Sequence, residues 1–185
     1  MAEISKEDLV LGGLLSAEGN LTEKGIEMAR ALLAHVPPLP NIPRKLFPVL
    51  MPLTVSVAAE LILLREDGSI FLTPREDEFW NGEHVPGSFI SPGEKIAMTA
   101  QRIANRELGG DISITNAKVI GGVNHPDSPR FHDFSAVVLA KFEGEPDHEK
   151  SRGKWFKEWP KDLIEVHRPF VEIVAPYRRK ARKED

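Results

Sequence analysis

No cysteine occurs among the 185 residues, which excludes disulfides, thiolate zinc sites and cysteine nucleophiles together. An excess of positive charge is missing too. The 24 Lys and Arg stand against 28 Asp and Glu, and a formal net charge of −4 removes the basic face of a general nucleic-acid binder. Long uninterrupted hydrophobic runs are also lacking. The longest, Leu46 to Leu64, is broken by Pro48, Pro52 and Glu60, whose cost in lipid argues against a membrane span. Met1 to Val10 carry Glu3, Glu7 and Asp8 where a signal peptide would be basic, and no internal repeat is present. The expectation is a soluble, cytoplasmic globular protein with no membrane or nucleic-acid partner. With 41% hydrophobic residues it can bury a sizeable core, and its acids are the plentiful metal-ligand chemistry.

Texture divides the chain. Residues 5–35 read as helical: Thr22 caps a helix with Glu23 in its first turn, and Ile26, Met28, Ala29, Leu32 and Leu33 form an apolar stripe. Pro37, Pro38, Pro40, Pro43, Pro48 and Pro52 then predict an extended connector, because proline fixes φ and removes donors. These residues, 1–51, are expected to be a helical, proline-rich extension too small to hold a core alone. A main domain is expected over 52–176, followed by a basic tail over 177–185. In the main domain, Val55 to Leu64 reads as a buried strand, Asp67-Gly68 as a turn and Ile70 to Leu72 as the return strand of a hairpin. A helix is expected over about 94–108, strands over 119–123, 134–142 and 155–156, and a closing helix over 161–174 broken at Pro169. Hairpins with interspersed helices give an α+β, mixed-sheet α/β/α sandwich rather than a doubly wound parallel sheet.

The helix over 94–108 contains a conflict. At 100° per residue, Ile96, Ala97, Ala100, Ile103, Ala104 and Leu108 share one arc of about 140° that faces the core, and Glu107 falls inside it. An ionised carboxylate buried without a partner costs several kcal/mol. Either Glu107 holds a cation or an arginine at a cleft, or the helix frays at Gly109-Gly110 and Glu107 points to water. Arg102 and Arg106, four apart on the polar side, offer two guanidinium groups to an anion.

These residues resemble a degenerate Nudix box. Pro86-Gly87, Gly93-Glu94, Arg102 and Glu107-Leu108-Gly109 match its pattern, with Glu94 and Arg102 at the expected separation and Trp80 where a tryptophan often precedes the box. Ser88, Ile103 and Arg106 depart from it, standing where the family has a glycine and two metal-binding glutamates. The resemblance covers about 54–175 and implies the same mixed-sheet sandwich, a nucleoside diphosphate-type ligand, magnesium and, often, a homodimer. The run from Arg102 to Gly109 is most similar to the GDP-mannose mannosyl hydrolase branch, which keeps one magnesium and directs water to the sugar carbon. That resemblance implies metal ligation by Glu107, the Gly87 carbonyl and Glu149, with Lys150 where that branch has its histidine base. It implies a phosphate contact from Arg75, either phosphate contact or box architecture for Arg102, which Glu94 is expected to pair with, and a box held by Gly93, Glu94 and Gly109; in a fold that has lost hydrolysis, Arg106 would meet the phosphate directly.

Other candidates are weaker. His125 and His132 flank Pro126 to Arg130 in a loop over the site and are candidate bases, whereas His84 is a possible ligand contact. Trp80 could stack on a base or sugar, or pack at the base of its loop. His35, His148 and His167 read as ordinary surface positions. Two functions remain open: a one-magnesium hydrolase of a nucleoside diphosphate linked to a sugar or similar group, or a Nudix fold that has lost hydrolysis and binds nucleotide or partners.

Overall fold

The structure, a computed structural model, describes residues 4–181, and the chain divides into two compact units, 1–43 and 44–185. In the first, Ser5 and Asp8 form a reciprocal capping box at the start of α1 (Lys6–Leu11). The Thr22 hydroxyl accepts the Gly25 N–H at 3.1 Å, capping α2 (Glu23–Leu33) as the sequence predicts. Gly25 is buried there because a Cβ would lie 2.1 Å from the Leu14 carbonyl oxygen. Ile26, Met28, Leu32 and Leu33 of the expected stripe are exposed.

The second unit takes in part of the proline-rich stretch. Instead of running extended throughout, Phe47–Leu50 form a short helix, α3, and Met51–Leu53 a 3-10 turn. The physical reason is Phe47, whose ring meets Phe131 at 5.3 Å and Phe89 at 5.7 Å and draws the segment inward. The boundary read near 52 from proline content thus differs from the division at 43/44.

Strands β1 (Ser56–Leu63), β4 (Gly87–Phe89), β5 (Ser113–His125) and β6 (Asp133–Glu143) form a mixed sheet ordered β4-β1-β6-β5, with β1 and β6 parallel. β2 (Ile70–Glu76), β3 (Asn81–His84) and β7 (Lys154–Phe156) form a second sheet ordered β3-β2-β7. The Asp67-Gly68 turn forms as expected, but β1 and β2 are not a hairpin pair. They touch through the single bridge Leu64–Ile70 and then join different sheets.

Alternation along β1 builds two cores. Ala59, Leu61 and Leu63 face α4 (Ile96–Ile103), meeting Ala100, Ile103 and Leu108. Ile62 faces the opposite way, toward Leu72, Val85, Phe170 and Val174. Glu60 and Ala58 continue the Ile62 face, and in the parallel register Ser135 and Val137 of β6 lie beside them. The box helix forms as read, with Ala97 exposed at its edge, and ends in a π-helical turn, Ala104–Leu108. Gly109 and Gly110 stop it at φ of 62° and 65°.

The closing helix departs from expectation. Glu165–His167 form one 3-10 turn, and α6 runs from Phe170 to Ala181, beginning just after Pro169 rather than breaking at it. Arg178, placed in the basic tail by the sequence, is buried, and its Nε donates to the Gly68 carbonyl at 2.8 Å. Arg182 and Lys183 of that tail lie outside the described residues.

Candidate functional site

The middle of β1 borders a cleft of about 290 Å³ lined by Glu60, Arg75, His84, Gly87, Glu107 and Arg130, among others. Each arrives for a local reason. β1 places Glu60 by strand alternation, and the π-helical turn swings Glu107 to the mouth of the box loop; such turns recur at functional sites. β4 presents the Gly87 N–H, which donates to Glu107 Oε2 at 3.1 Å. A Cβ on Gly87 would lie 2.0 Å from Glu60 Oε2, so any larger residue there would force the Glu60 carboxylate to move. The two carboxylates therefore bracket one backbone position.

Glu60 is 8% exposed; its Oε1 accepts a long 3.4 Å bond from Ser135, and its Oε2 is 3.7 Å from His167 Nε2. Burial, then the charges of Glu107 and Asp133, push Glu60 up to about 8. Burial pushes Glu107 up to about 7 against the Gly87 N–H and the charges of Arg75, Arg102 and Arg106. Of the alternatives open for Glu107, the cleft is the one observed.

The histidines around the cleft have assignable protons. His167 Nδ1 accepts the Val85 N–H at 3.0 Å, so its proton sits on Nε2, toward Glu60, and burial holds the ring neutral. His84 Nδ1 donates to the Val85 carbonyl at 2.7 Å, leaving Nε2 to accept from the Thr73 hydroxyl at 3.2 Å. Burial lowers it to about 4. His167 is thus no surface residue, contrary to its sequence reading. His35 and His148 are exposed as expected.

The arginines divide by role. Arg102 grips Glu94 through Nε at 2.9 Å and one amino group at 2.6 Å, and also donates to the Ser88 hydroxyl and the Phe89 carbonyl. Its fork is spent on bracing the box loop, with Gly93 turning that loop at φ of 78°. Of the two roles open to Arg102, phosphate contact and box architecture, its bonds to Glu94, Ser88 and Phe89 are those of the second. Arg106 is exposed on the π-helical turn and does not line the cleft. Arg75 does, and so does Arg130, which the sequence reading passed over. Both guanidinium carbons lie 4.4 Å from the centre of the Trp80 ring. Trp80 is 9% exposed, so it packs at the base of its loop, the alternative to stacking on a ligand.

The remaining candidates scatter. Glu149 and Lys150 are exposed on α5 (His148–Ser151) and do not line the cleft. His132 Nε2 is bonded to Asn124 Oδ1 at 2.7 Å. His125, opposite Asp133 in the β5–β6 register, has an Nε2 buried with no hydrogen-bond partner among the described residues, and burial lowers its pKa. Three groups escaped the sequence reading: Glu60, Arg130 and His167. Only Glu60 carried a signal there, as a lone acid inside an otherwise apolar buried strand. A larger open groove of about 1000 Å³, flanked by Lys118, Lys141 and Tyr177, holds none of the box residues.

Among the described residues, no helix is long and apolar enough to cross a membrane, and no three His, Asp or Glu are grouped to hold a metal ion. No curated protein matches the chain. Solved structures do. The MutT NUDIX hydrolase from Burkholderia pseudomallei is 27% identical, covering 65% of this chain and 98% of that one, with a TM-score of 0.55. The E. coli ORF135 protein, at 20% identity, covers 71% of this chain and 96% of its own with a TM-score of 0.54, and shares the fold. So does a bifunctional NMN adenylyltransferase/ADP ribose pyrophosphatase from Francisella tularensis, complexed with AMP and a Mn ion. It is 17% identical, covering 83% of this chain and 46% of that one, with a TM-score of 0.50. The NUDIX domain model matches residues 54–173, spanning the two sheets, the box helix and the cleft, and the chain belongs to the Nudix family.

Proposed function

We propose that the chain is a Nudix-type hydrolase of a nucleoside diphosphate joined to a sugar or related group, working with a single magnesium ion. The observation that supports this most is the sharing of one cleft by two carboxylates, Glu60 and Glu107, and two guanidinium groups, Arg75 and Arg130. The donor set fits one hard cation. Both carboxylates line the one cleft, Glu60 buried and Glu107 half-buried, and burial pushes both up. A divalent ion is the partner that would let them ionise. Magnesium keeps several waters and takes oxygens from phosphate, so one or two protein carboxylates suffice. Ile103 and Arg106 leave a multi-ion cluster without ligands. When bound, the ion would neutralise the diphosphate as a leaving group.

This chain's residues would do the rest. Glu107 and Gly87 mark the metal side, Arg75 and Arg130 orient the phosphates, and Glu94 with Arg102 keeps the loop fixed. Of the two loop histidines, His125 is the candidate proton acceptor: its Nε2 is unbonded among the described residues and burial lowers its pKa, although it does not itself line the cleft. His132 is engaged with Asn124.

A thermal-shift and turnover panel of nucleoside diphosphates and nucleotide-sugars, each with and without magnesium, tests the reading. Magnesium should raise the melting temperature further when a nucleotide-sugar is present, and turnover should vanish in Glu107→Gln. A flat response to magnesium, with ligand stabilisation but no turnover, would instead establish the non-hydrolytic nucleotide binder. The absent box carboxylates favour that second reading.

A further inference from the structure

Residues 4–43 hold defined local structure without burying an apolar side chain. The capping box of α1, the Thr22 cap of α2 and the antiparallel bridge between Leu15 and Leu21 fix the backbone. Lys24 Nζ donates to the Gly12 carbonyl at 2.8 Å, and the Thr22 hydroxyl to that of Gly13 at 2.6 Å, which ties the start of α2 to the end of α1. Yet Gly25 is the one buried residue of this stretch. At 100° per residue, Met28, Leu32, Gly25, Ala29, Leu33 and Ile26 occupy one arc of α2 about 160° wide. Within that arc Gly25 meets the Leu14 carbonyl, while Leu32 and Leu33 are 66% and 52% exposed. Leu21 adjoins the arc, its Cδ2 lying 3.2 Å from where a Gly25 Cβ would stand, and is exposed as well. Seven large apolar side chains of this unit are exposed. They offer on the order of 700 Å², against about 800 Å² contributed by each partner to a standard interface. An apolar stripe of this kind with a polar border marks an interaction surface. Here the border carries opposite charges at its two ends, Glu23 in the first turn and Arg30 in the last, both on the Ile26 side of the arc. No ion pair among the described residues engages either.

We propose that this stripe is a two-fold interface with a second copy of the chain, in which the two α2 helices pack antiparallel. Antiparallel pairing sets Glu23 beside the partner's Arg30, and Arg30 beside the partner's Glu23. One surface thereby complements itself, as a two-fold interface requires. The helices cross near Ile26, and Leu33 lies over the partner's Leu21. Parallel pairing would set like charges together at both ends, which is unfavourable. The surface lies outside residues 54–173, which match the NUDIX domain, and it needs neither metal nor nucleotide.

Sedimentation equilibrium of the full chain in EDTA, over roughly 1–100 μM, tests it. Wild type should pass from monomer to dimer within that range. Leu33→Lys puts a charge into the stripe while suiting the C-terminal end of α2, and should leave a monomer throughout. Glu23→Arg and Arg30→Glu each turn two attractive contacts into two repulsive ones, and each should weaken the dimer roughly tenfold. An equimolar mixture of those two variants recreates both attractive contacts and should dimerise about as tightly as wild type. High salt should shrink the differences among them. Circular dichroism verifies that each variant is folded, and the mixing experiment decides the matter should Leu33→Lys loosen α2. A wild type that stays monomeric, a dimer untouched by Leu33→Lys, or a mixture no tighter than its components overturns the interface.

Discussion

Replacing Glu60 by Gln should make this protein more stable in alkali, the opposite of what removing a buried hydrogen-bonded group usually does. The side chain is nearly isosteric, so packing between β1, β6 and β4 is preserved. What changes is charge. Glu60 moves from 4.5 when exposed to about 8 when folded, and its neighbour Glu107 from 4.5 to about 7. A carboxyl group whose folded pKa is raised binds its proton more tightly in the folded state. Its contribution is therefore complete below 4.5 and is lost as pH rises through the folded value. Each unit is worth about 1.4 kcal/mol, which caps the Glu60 share at about 5 kcal/mol. Part of the Glu60 shift comes from the charge of Glu107, so the two titrations are coupled and a realistic loss for wild type without divalent ions is roughly 3 kcal/mol between pH 5 and pH 9. In Glu60→Gln most of that slope should disappear. At pH 5 the variant should be equal to wild type or about 1 kcal/mol weaker, because the amide N–H₂ meets the Nε2–H of His167. At pH 9 it should exceed wild type by roughly 2 kcal/mol. Urea denaturation in EDTA at pH 5, 7 and 9, with a shared m-value, measures both ends. Magnesium should restore wild-type stability at pH 9 and do little for Glu107→Gln. Parallel pH profiles for Glu60→Gln and wild type, or a variant no more stable than wild type at pH 9, would refute the picture of two desolvated carboxylates awaiting a cation.

Arg102 holds Glu94 down to about 2, a shift whose stabilisation is present above 4.5 and lost as pH falls toward 2. Arg102→Ala should therefore cost about 2 kcal/mol near neutrality and little at pH 2–3, as read by denaturation at both. Gly87→Ala forces a methyl group onto Glu60 Oε2, so it should lower stability by roughly 1–3 kcal/mol and abolish any magnesium-dependent thermal shift. Thr22→Ala removes the α2 cap; amide exchange within α2 should quicken by about 1 kcal/mol in protection while protection within β1 and β6 stays unchanged.

How much could be read in advance depended on the range of the interaction. The box helix was legible because its signal is local: Ala100, Ile103, Ala104 and Leu108 are buried as their spacing requires. Glu107, in the same arc, reaches the cleft that its burial demanded. The Asp67-Gly68 turn was equally local, with Asp67 Oδ1 accepting the Ser69 N–H at 2.9 Å. What followed the turn was not. Whether β2 stays with β1 is decided by β3, β6 and β7, which lie far along the chain. The closing helix failed in a related way. Pro169 was read as a break, but a proline ahead of the first helical residue suits a start, and Pro176 is carried inside α6.

The candidate site shows where a motif alone runs short. Counting carboxylates within the box leaves Glu107 isolated, because Ile103 and Arg106 occupy two acid positions. Glu60 lies 47 positions upstream and enters only through strand alternation and the parallel β1–β6 register that sets Ser135 and Asp133 near it. Its own strand gave the hint: burying an acid among Ala58, Leu61 and Ile62 costs more than any packing gain at that position returns, unless something pairs with it. Arg130 had no such hint, because an arginine in a polar loop is what solvent exposure predicts. Only the fold reveals that it rests on Trp80 beside Arg75. Chemical strain legible within one element pointed to the carboxylate side of the cleft, while the guanidinium side depended on contacts that no single element contains.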